Sequence, residues 1–540
     1  MTALLTDNLP LLAGAPNGVK KLRELILELA VRGKLVPQDP SDEPASELLK
    51  RIAEEKARLV AEGKIKKQKP LAEVSDDEKP FELPAGWMWT RLGDICLTQT
   101  GTTPSKSQSE LFGSDVPFIK PGDIYPDQVD YSGEGLSSLG ASQSGRVAQA
   151  GSLLMVCIGT IGKCNLIERD CSFNQQINSA TLYKGLPQYL RIAARSAYFQ
   201  AKAWSESSST TIAILNKGKW EAIPLPLPGL NEQHRIVAKV DELMALCDRL
   251  EAQQADAESA HAQLVQAMLD SLTQAGDAND FAANWQRLAE HFHTLFTTEP
   301  SIDALKQTLL QLAVMGKLVP QDPDDESASE LLRRIAEERA SYVSGRRSAK
   351  QAALPSIDDT EKAFELPVGW EWVRLQQIIS VSSGDGLVSA NMKADGGVPV
   401  YGGNGVTGYH DENNVDNETL VIGRVGYYCG SIHLTPAIAW ITDNALIVSF
   451  SEKNIYKNFL FWLLKGTNLK EQENATAQPV ISGRKIYPIV LAIPPLAEQH
   501  RIVAKLDQLM ALCDQLKTRL TQARQLNEQL ASTLVEQAVA

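Results

Sequence analysis

No stretch of the 540 residues holds 18 consecutive apolar positions, so no segment is expected to span a membrane. The opening residues, MTALLTDNLPLLAGAP, lack a basic start and a long apolar core, so no secretory signal is expected. Cysteine is scarce. Seven in a chain of this length, without C-x-x-C spacing, exclude a disulfide framework, and a reducing, cytoplasmic compartment is expected. Cys157, Cys164 and Cys171 are evenly spaced, but no histidine lies near them, which favours buried thiols over a metal site. An excess of basic charge is also missing. The net charge of −13 argues against tight nucleic-acid binding by the chain alone.

Motifs for catalysis are absent too. There is no G-x-x-x-x-G-K-[ST], and GTIGK at Gly159–Lys163 is too short to be one. No D/N-P-P-Y/F occurs. Asp385 in GDG and the GGNG at Gly402–Gly405 lack the following helix that a cofactor turn requires. Asp358 and Asp359 are paired but sit in a linker. His234 and His500 recur within EQHRI with no nucleophile nearby, which suits helix capping or partner contact. The chain is expected not to be an enzyme.

What is present is said twice. Leu230–Leu250 and Leu496–Leu516 are identical at 17 of 21 positions, and Ile26–Val60 and Leu309–Val343 at 26 of 35. FELPAGWMWTRL at Phe81–Leu92 returns as FELPVGWEWVRL at Phe364–Leu375. The segments between each signature and its following helix do not repeat. Those two inserts together carry −3, so −10 lies in the repeated frame. A length suited to three or four domains and a hydrophobic content of 43% support genuine cores.

Each half predicts the same order. A helix at Gly18–Val31, matched by Ile302–Met315, stops at Gly33 or Gly316. A second helix, Ala45–Val60 or Ala328–Val343, rests on the spacing of Leu48, Leu49 and Ile52 rather than on a good cap. A linker follows in which basic residues (Lys64, Lys66, Lys67, Lys69; Arg346, Arg347, Lys350) precede acidic ones (Asp76, Asp77, Glu78; Asp358, Asp359, Glu361). Solvation explains it, with phosphate contact by the basic part as the functional reading. Trp87, Trp89, Trp370 and Trp372 read as core anchors. Short β-branched runs such as Leu153–Ile158 and Thr419–Ile422 make the inserts mixed α/β globules with many loops. A long helix closes each half. Ile236, Val240, Leu243, Cys247 and Leu250, continued by Leu264 and Met268, and Ile502, Leu506, Leu509, Cys513 and Leu516, continued by Leu520, Leu530 and Leu534, recur in 4,3 steps as in a coiled-coil seam. His261 and Asn527 fall at matched seam positions, where a core histidine reads as packed or hydrogen-bonded and a matched polar pair as the alternative that fixes register. Phe281–Phe296 reads as a further amphipathic helix.

These residues resemble the specificity subunits of type I restriction-modification systems. The resemblance rests on LPxGWxWxRL, on PLPGLNEQHRIV and PPLAEQHRIV leading into the long helices, and on GTTPSK (Gly101–Lys106), IKPGDI (Ile119–Ile124) and YGGNGVTGYH (Tyr401–His410). It implies an α+β chain with a pseudo-twofold internal repeat. Two mixed α/β target-recognition domains, 81–229 and 364–495, would be joined by spacer helices 230–275 and 496–540, paired as an antiparallel coiled coil. Helical regions with linkers would occupy 1–80 and 276–363. Each recognition domain would read half of a split double-stranded DNA target. Two modification subunits would dock on the frame and carry S-adenosylmethionine, and restriction subunits would bring ATP and Mg. No cofactor is implied for this chain.

The physical argument runs in parallel. A duplicated frame offers two equal seats to one partner, while unlike inserts free the target from being a palindrome. A helix of about 40 residues spans about 60 Å, against about 34 Å for one DNA turn. Affinity comes largely from phosphates, and specificity from Asn or Gln on adenine and Arg or Lys on guanine. The favoured contacts are Lys106, Lys163, Asn174, Gln175, Lys217 and Lys219 in the first insert, and Asn404, Tyr409, Arg424, Tyr427, Arg484 and Lys485 in the second. Two other readings are a coiled-coil protein scaffold without DNA specificity and a self-sufficient modification enzyme. The second of these would need a cofactor pocket not found in the sequence.

Overall fold

The computed structural model describes residues 12, 14–144, 146–208, 212–344, 354–467, 469 and 480–539. Arg346, Arg347 and Lys350 lie outside the described residues. The chain forms two compact units, Met1–Ala257 with Ala523–Ala540, and Glu258–Gln522. The long helix Leu230–Thr273 therefore begins in the first unit and ends in the second, and Leu496–Val539 does the reverse. Helices and sheets are mixed in both units. Among the described residues no helix is long and apolar enough to cross a membrane.

In the first unit, Gly18–Val31 buries Leu22, Leu25, Ile26 and Leu29, and Ala45–Ala61 buries Leu48 and Ile52. Neither has a side-chain cap, so packing holds them rather than capping. The stop between them is Gly33 at φ +66°, where a Cβ would lie 2.4 Å from Pro84 Cγ and 3.1 Å from Trp87. Only glycine fits a left-handed turn pressed against the LPxGW segment. Trp87 is buried, and its indole N–H donates to Glu232 Oε2 at 2.8 Å. Gln38 donates to the other oxygen of Glu232 at 2.6 Å, and Arg235 pairs with Asp42 at 2.6 Å. Gln233 accepts from the Leu186 amide at 3.0 Å and donates to the Pro228 carbonyl at 3.1 Å. The helical hairpin, the start of the insert and the start of the long helix are thus locked together.

The second unit repeats this junction. Gly316 has φ +70°, and a Cβ there would lie 2.5 Å from Pro367 Cγ. Trp370 donates to Glu498 at 3.0 Å, Gln321 donates to it at 3.2 Å, and Arg501 pairs with Asp325 at 2.6 Å. Gln499 holds the Tyr456 amide at 2.8 Å. The helix matched to Gly18–Val31 runs over Glu299–Val314, opened by a Thr298–Ser301 capping box. The single helix expected over Phe281–Phe296 is instead Ala278–Glu290 and Phe292–Leu295, broken at His291. Trp89 and Trp372 are half-buried against Phe81 and Phe364, with ring centroids 5.0 and 4.8 Å apart. The acidic ends of the linkers are solvated at Asp76, Asp77, Asp358 and Asp359, while one carboxylate in each is tied down: buried Arg91 pairs with Glu78 at 2.7 Å, and buried Arg374 with Glu361 at 2.9 Å. The Arg91 guanidinium pulls the Glu78 carboxyl down to about 2.

The long helices bury the expected stripe only at first. Ile236, Val240 and Cys247 are buried and Leu243 and Leu250 half-buried, as are Leu509 and Leu516 beside buried Ile502, Leu506 and Cys513. Leu264 and Leu530 do not continue the seam; they are 54% and 44% exposed, and Val265 and Ala531 are buried instead. A strict seam of 3.5 residues per turn reaches Leu264 from Ile236 in four heptads. Eight turns of a straight helix advance about 29 residues, which selects the next position. The same shift occurs in both copies. Met268 and Leu534 are half-buried. His261 and Asn527 are correspondingly not a matched seam pair: His261 Nε2 lies 3.2 Å from the Thr294 carbonyl, and Asn527 is exposed. Within the first unit Val240 and Cys247 share a core with Ala538 of the last helix. In the second, Val265, Leu269 and Leu272 share one with Ile502, Leu506 and Met510.

Two outcomes test this junction. Gly63, at φ +69° with open space around it, isolates the backbone cost, so Gly63→Ala should cost about 1 kcal/mol. Gly33→Ala adds the clash with Pro84 and Trp87 and should cost about 3 kcal/mol in urea unfolding of the full chain; equal losses would refute the clamp. Burial raises the Glu232 and Glu498 carboxyls, against the opposing pull of their Trp and Gln donors. A raised carboxyl pKa adds stability that is complete below the ordinary carboxylate range and is lost as pH climbs through the raised value. The variant carrying Glu232→Gln and Glu498→Gln cannot ionise there. Its stability relative to the native chain should therefore rise as pH climbs above the ordinary carboxylate range, read as the shift in urea midpoint.

Candidate nucleic-acid interface

The two inserts differ in sequence yet share a strand order. In the first, Cys96–Thr100, Ile177–Leu182, Leu153–Val156 and Cys164–Leu166 lie side by side, all antiparallel. In the second, Ile379–Ser383, Ala445–Phe450, Leu420–Gly423 and Ile432–Leu434 do the same. Each has a second sheet with one parallel pairing, Phe118 beside Ser172 and Val400 beside Trp440. Each is closed by an antiparallel ribbon, Met88–Arg91 with Pro224–Leu227 and Glu371–Arg374 with Val490–Ile493. The strands Leu153–Val156 and Leu420–Gly423 are buried along their whole length, so any apolar run that fills the space serves, and unlike sequences reach the same order in this sheet. The second sheet has four strands in the first insert and three in the second.

Backbone hydrogen bonds gather five loops at one end of each insert. Cys157 N donates to Gln176 O at 2.8 Å, as Arg424 N does to Asn444 O at 2.9 Å. Leu215 N donates to Cys157 O at 2.8 Å, as Ile481 N does to Arg424 O at 2.9 Å. Asn174 N donates to Ile119 O at 3.0 Å, as Thr442 N does to Tyr401 O at 2.9 Å. The phrases IKPGDI and YGGNG thus occupy the same corner. The crossing is tight: a Cβ on Gly101 would sit 2.1 Å from the Asn174 carbonyl oxygen, and one on Gly384 2.3 Å from that of Ile441. These glycines stand at the same offset as the LPxGW signatures, so the sequence itself marks this end of each insert.

The sequence candidates fall on this end unevenly. In the first insert Lys106 and Gln175 are exposed, and the Thr103 hydroxyl donates to Gln175, joining their loops. Lys219 is exposed, with its ammonium 2.9 Å from the Glu206 carbonyl oxygen. Asn174 is buried and closes its own turn through Gln176 at 3.0 and 3.1 Å. Lys163 turns to the Pro121 carbonyl at 2.8 Å, over the Tyr125 ring, and Lys217 pairs with Glu221.

In the second insert Asn404 is exposed at its hairpin tip, and a Cβ on the neighbouring Gly403 would meet the Val425 carbonyl oxygen at 2.4 Å. Arg424 reaches Ser383 Oγ and the Asp443 carbonyl, both at 3.2 Å. Tyr427 and Arg484 are exposed, and Lys485 donates to the Val480 carbonyl at 3.2 Å. Tyr409 is half-buried away from that tip, its backbone paired with Lys393. Sequence reasoning passed over Tyr428, 54% exposed beside Tyr427. The three evenly spaced cysteines are buried, and burial raises the pKa of each thiol. Among the described residues no group of three or more His, Cys, Asp or Glu is arranged to hold a metal ion. The loop end of each insert thus presents exposed polar and cationic side chains, Lys106, Gln175 and Lys219 in the first and Asn404 and Arg484 in the second.

The family model described as the type I restriction modification DNA specificity domain matches residues 84–258 and 367–524, each match opening in an LPxGW signature. The EcoAI specificity subunit of Escherichia coli is 38% identical over 97% of this chain and 94% of its own. The EcoEI specificity subunit of the same organism is 36% identical with the same coverage. A solved structure concerning assembly and conformational transition of a type I R-M system is alike in fold. It has a TM-score of 0.51 at 18% identity, covering 85% of this chain and 99% of that one. With two matched domains on a duplicated frame, the chain belongs to the type I restriction-modification DNA specificity family, as a specificity subunit.

Proposed function

We propose that the chain is the non-catalytic reader of a bipartite, asymmetric double-stranded DNA target, taking one half-site in each recognition domain, 81–229 and 364–495. The observation that carries this reading is two inserts of unlike sequence built on the same four-stranded sheet order, each set in the same Trp–Glu junction. The exposed residues Lys106, Gln175, Asn404 and Tyr427 on loops and Lys219 and Arg484 on short helices, with Arg424 and Lys485, are the contacts we assign to DNA. Asn174, Lys163 and Lys217 would first have to leave their present partners, and Tyr409 would act from outside the loop end.

Helices 230–275 and 496–540 serve as an antiparallel spacer on a pseudo-twofold frame, keeping a coiled-coil seam over the first heptads of each helix and a straight-helix stripe beyond. Their opposite passage between the two units and the recurrence of the same stripe in both support this. The helical regions 1–80 and 276–363 seat two modification subunits. Those subunits bring S-adenosylmethionine, and restriction subunits bring ATP and Mg, in the cytoplasm. A scaffold without DNA specificity would not need two inserts of this family.

In the assembled complex, replacing 364–495 with another member's recognition domain should change one half of the methylated sequence and leave the other; a change in both halves contradicts the assignment. Arg484→Ala should lower the slope of log affinity against log salt by about one if that side chain meets a phosphate. An unchanged slope would remove Arg484 from the interface.

A further inference from the structure

We propose that Tyr427 and Tyr428 form an aromatic wedge that enters the half-site read by the second recognition domain and unstacks a base step there. The inference rests on the DNA reading above and adds to it a deformation of the target confined to one half.

The turn that carries them is built for presentation. Gly426 and Gly430, at φ +93° and +85°, bend the chain tightly at both ends. Cys429, 2% exposed, anchors the turn inward, and its amide donates to the Gly426 carbonyl at 3.0 Å. The Gly430 amide returns to the Gly423 carbonyl at 2.8 Å, and Ser431 N to Tyr428 O at 3.1 Å. With its backbone held in this way, the turn leaves Tyr427 74% and Tyr428 54% exposed, with ring centroids 5.0 Å apart and planes at 88°. Large aromatic faces left to water are costly unless something covers them, and here each is braced by the other.

The first recognition domain shows that the fold does not require them. Its equivalent turn runs between Gly159 and Gly162, at φ +81° and +97°, with Ile161 buried in the place of Cys429 and only Thr160 facing out. One extra residue in the second turn converts an outward threonine into two outward tyrosines.

The surroundings select the occupant. Arg424 opens the same turn, and Arg484 and Lys485 stand on the short helix Gly483–Ile486 that follows Ile481, whose amide bonds to the Arg424 carbonyl at 2.9 Å. Cations beside exposed rings fit a polyanion that also offers flat apolar faces. In duplex DNA those faces become available when a side chain separates a base step.

The test uses the complete chain assembled with its modification subunits, and duplexes carrying 2-aminopurine at successive positions of each half-site other than the methylated bases. Fluorescence should rise at one step in the second domain's half-site. The rise should vanish in the Tyr427→Ala, Tyr428→Ala pair and persist in the Tyr427→Phe, Tyr428→Phe pair. The alanine pair should bind the full target about tenfold more weakly, as loss of base–aromatic stacking implies. It should keep its preference for the first half-site, which shows it is folded. Selection of the split sequence by the native complex without the fluorescence rise, or a rise that survives the alanine pair, overturns the wedge alone. Failure to select any split sequence overturns the wedge and the DNA reading together.

Discussion

The hydrogen bond from a buried tryptophan to a buried glutamate at the root of each long helix is the contact on which the rest of the structure depends. Trp87 meets Glu232 at 2.8 Å and Trp370 meets Glu498 at 3.0 Å. Three segments distant in the chain converge there: the turn after the first helix, the LPxGW segment and EQHRI. A carboxylate can be buried only when its oxygens are satisfied, and the Trp and Gln donors do that. The glycine at the turn then has no room for a side chain. The recognition domain, hydrogen-bonded at its root and clamped by the Arg–Glu pair of its linker, is held as a rigid body on the long helix. Its loop end can therefore change sequence without disturbing how it is mounted.

Much of the frame was legible because it is written twice. The helices at Gly18–Val31 and Ala45–Ala61, the glycine stops, the tryptophan anchors and both long helices follow from spacing and repetition. The duplicated EQHRI segment was legible as important but not in its details, since Glu232, Gln233 and Arg235 act on residues far away in sequence. His234 and His500 are exposed, and His500 stacks on Tyr456 with ring centroids 4.0 Å apart. The shift from Leu264 to Val265 and from Leu530 to Ala531 escaped a heptad reading because that reading assumes supercoiled helices, whereas the buried stripe follows straight ones. The break at His291 has no mark in the sequence, which continues LAEHFHTLF with neither glycine nor proline.

The recognition domains were the least legible part. Their strands are short and their loops carry no repeat, so the common topology emerges only from pairing. Residue type proved a poor guide to presentation. Asn174 suits adenine by its chemistry but spends its amide on its own turn, and Lys163 is drawn inward to a carbonyl. Arg484, Gln175 and Lys106 are on the surface where the loops gather. Glycines at matched offsets from the signature, Gly101 and Gly384, would have located that end from sequence alone.

The account's central claim is that two unlike heads on one repeated frame read two unlike half-sites. Mapping every methylated position on DNA treated with the chain and its modification subunits tests it most directly. The account predicts a motif of two different specified halves separated by an unspecified gap of constant length. A palindrome, or a single uninterrupted motif, would contradict it.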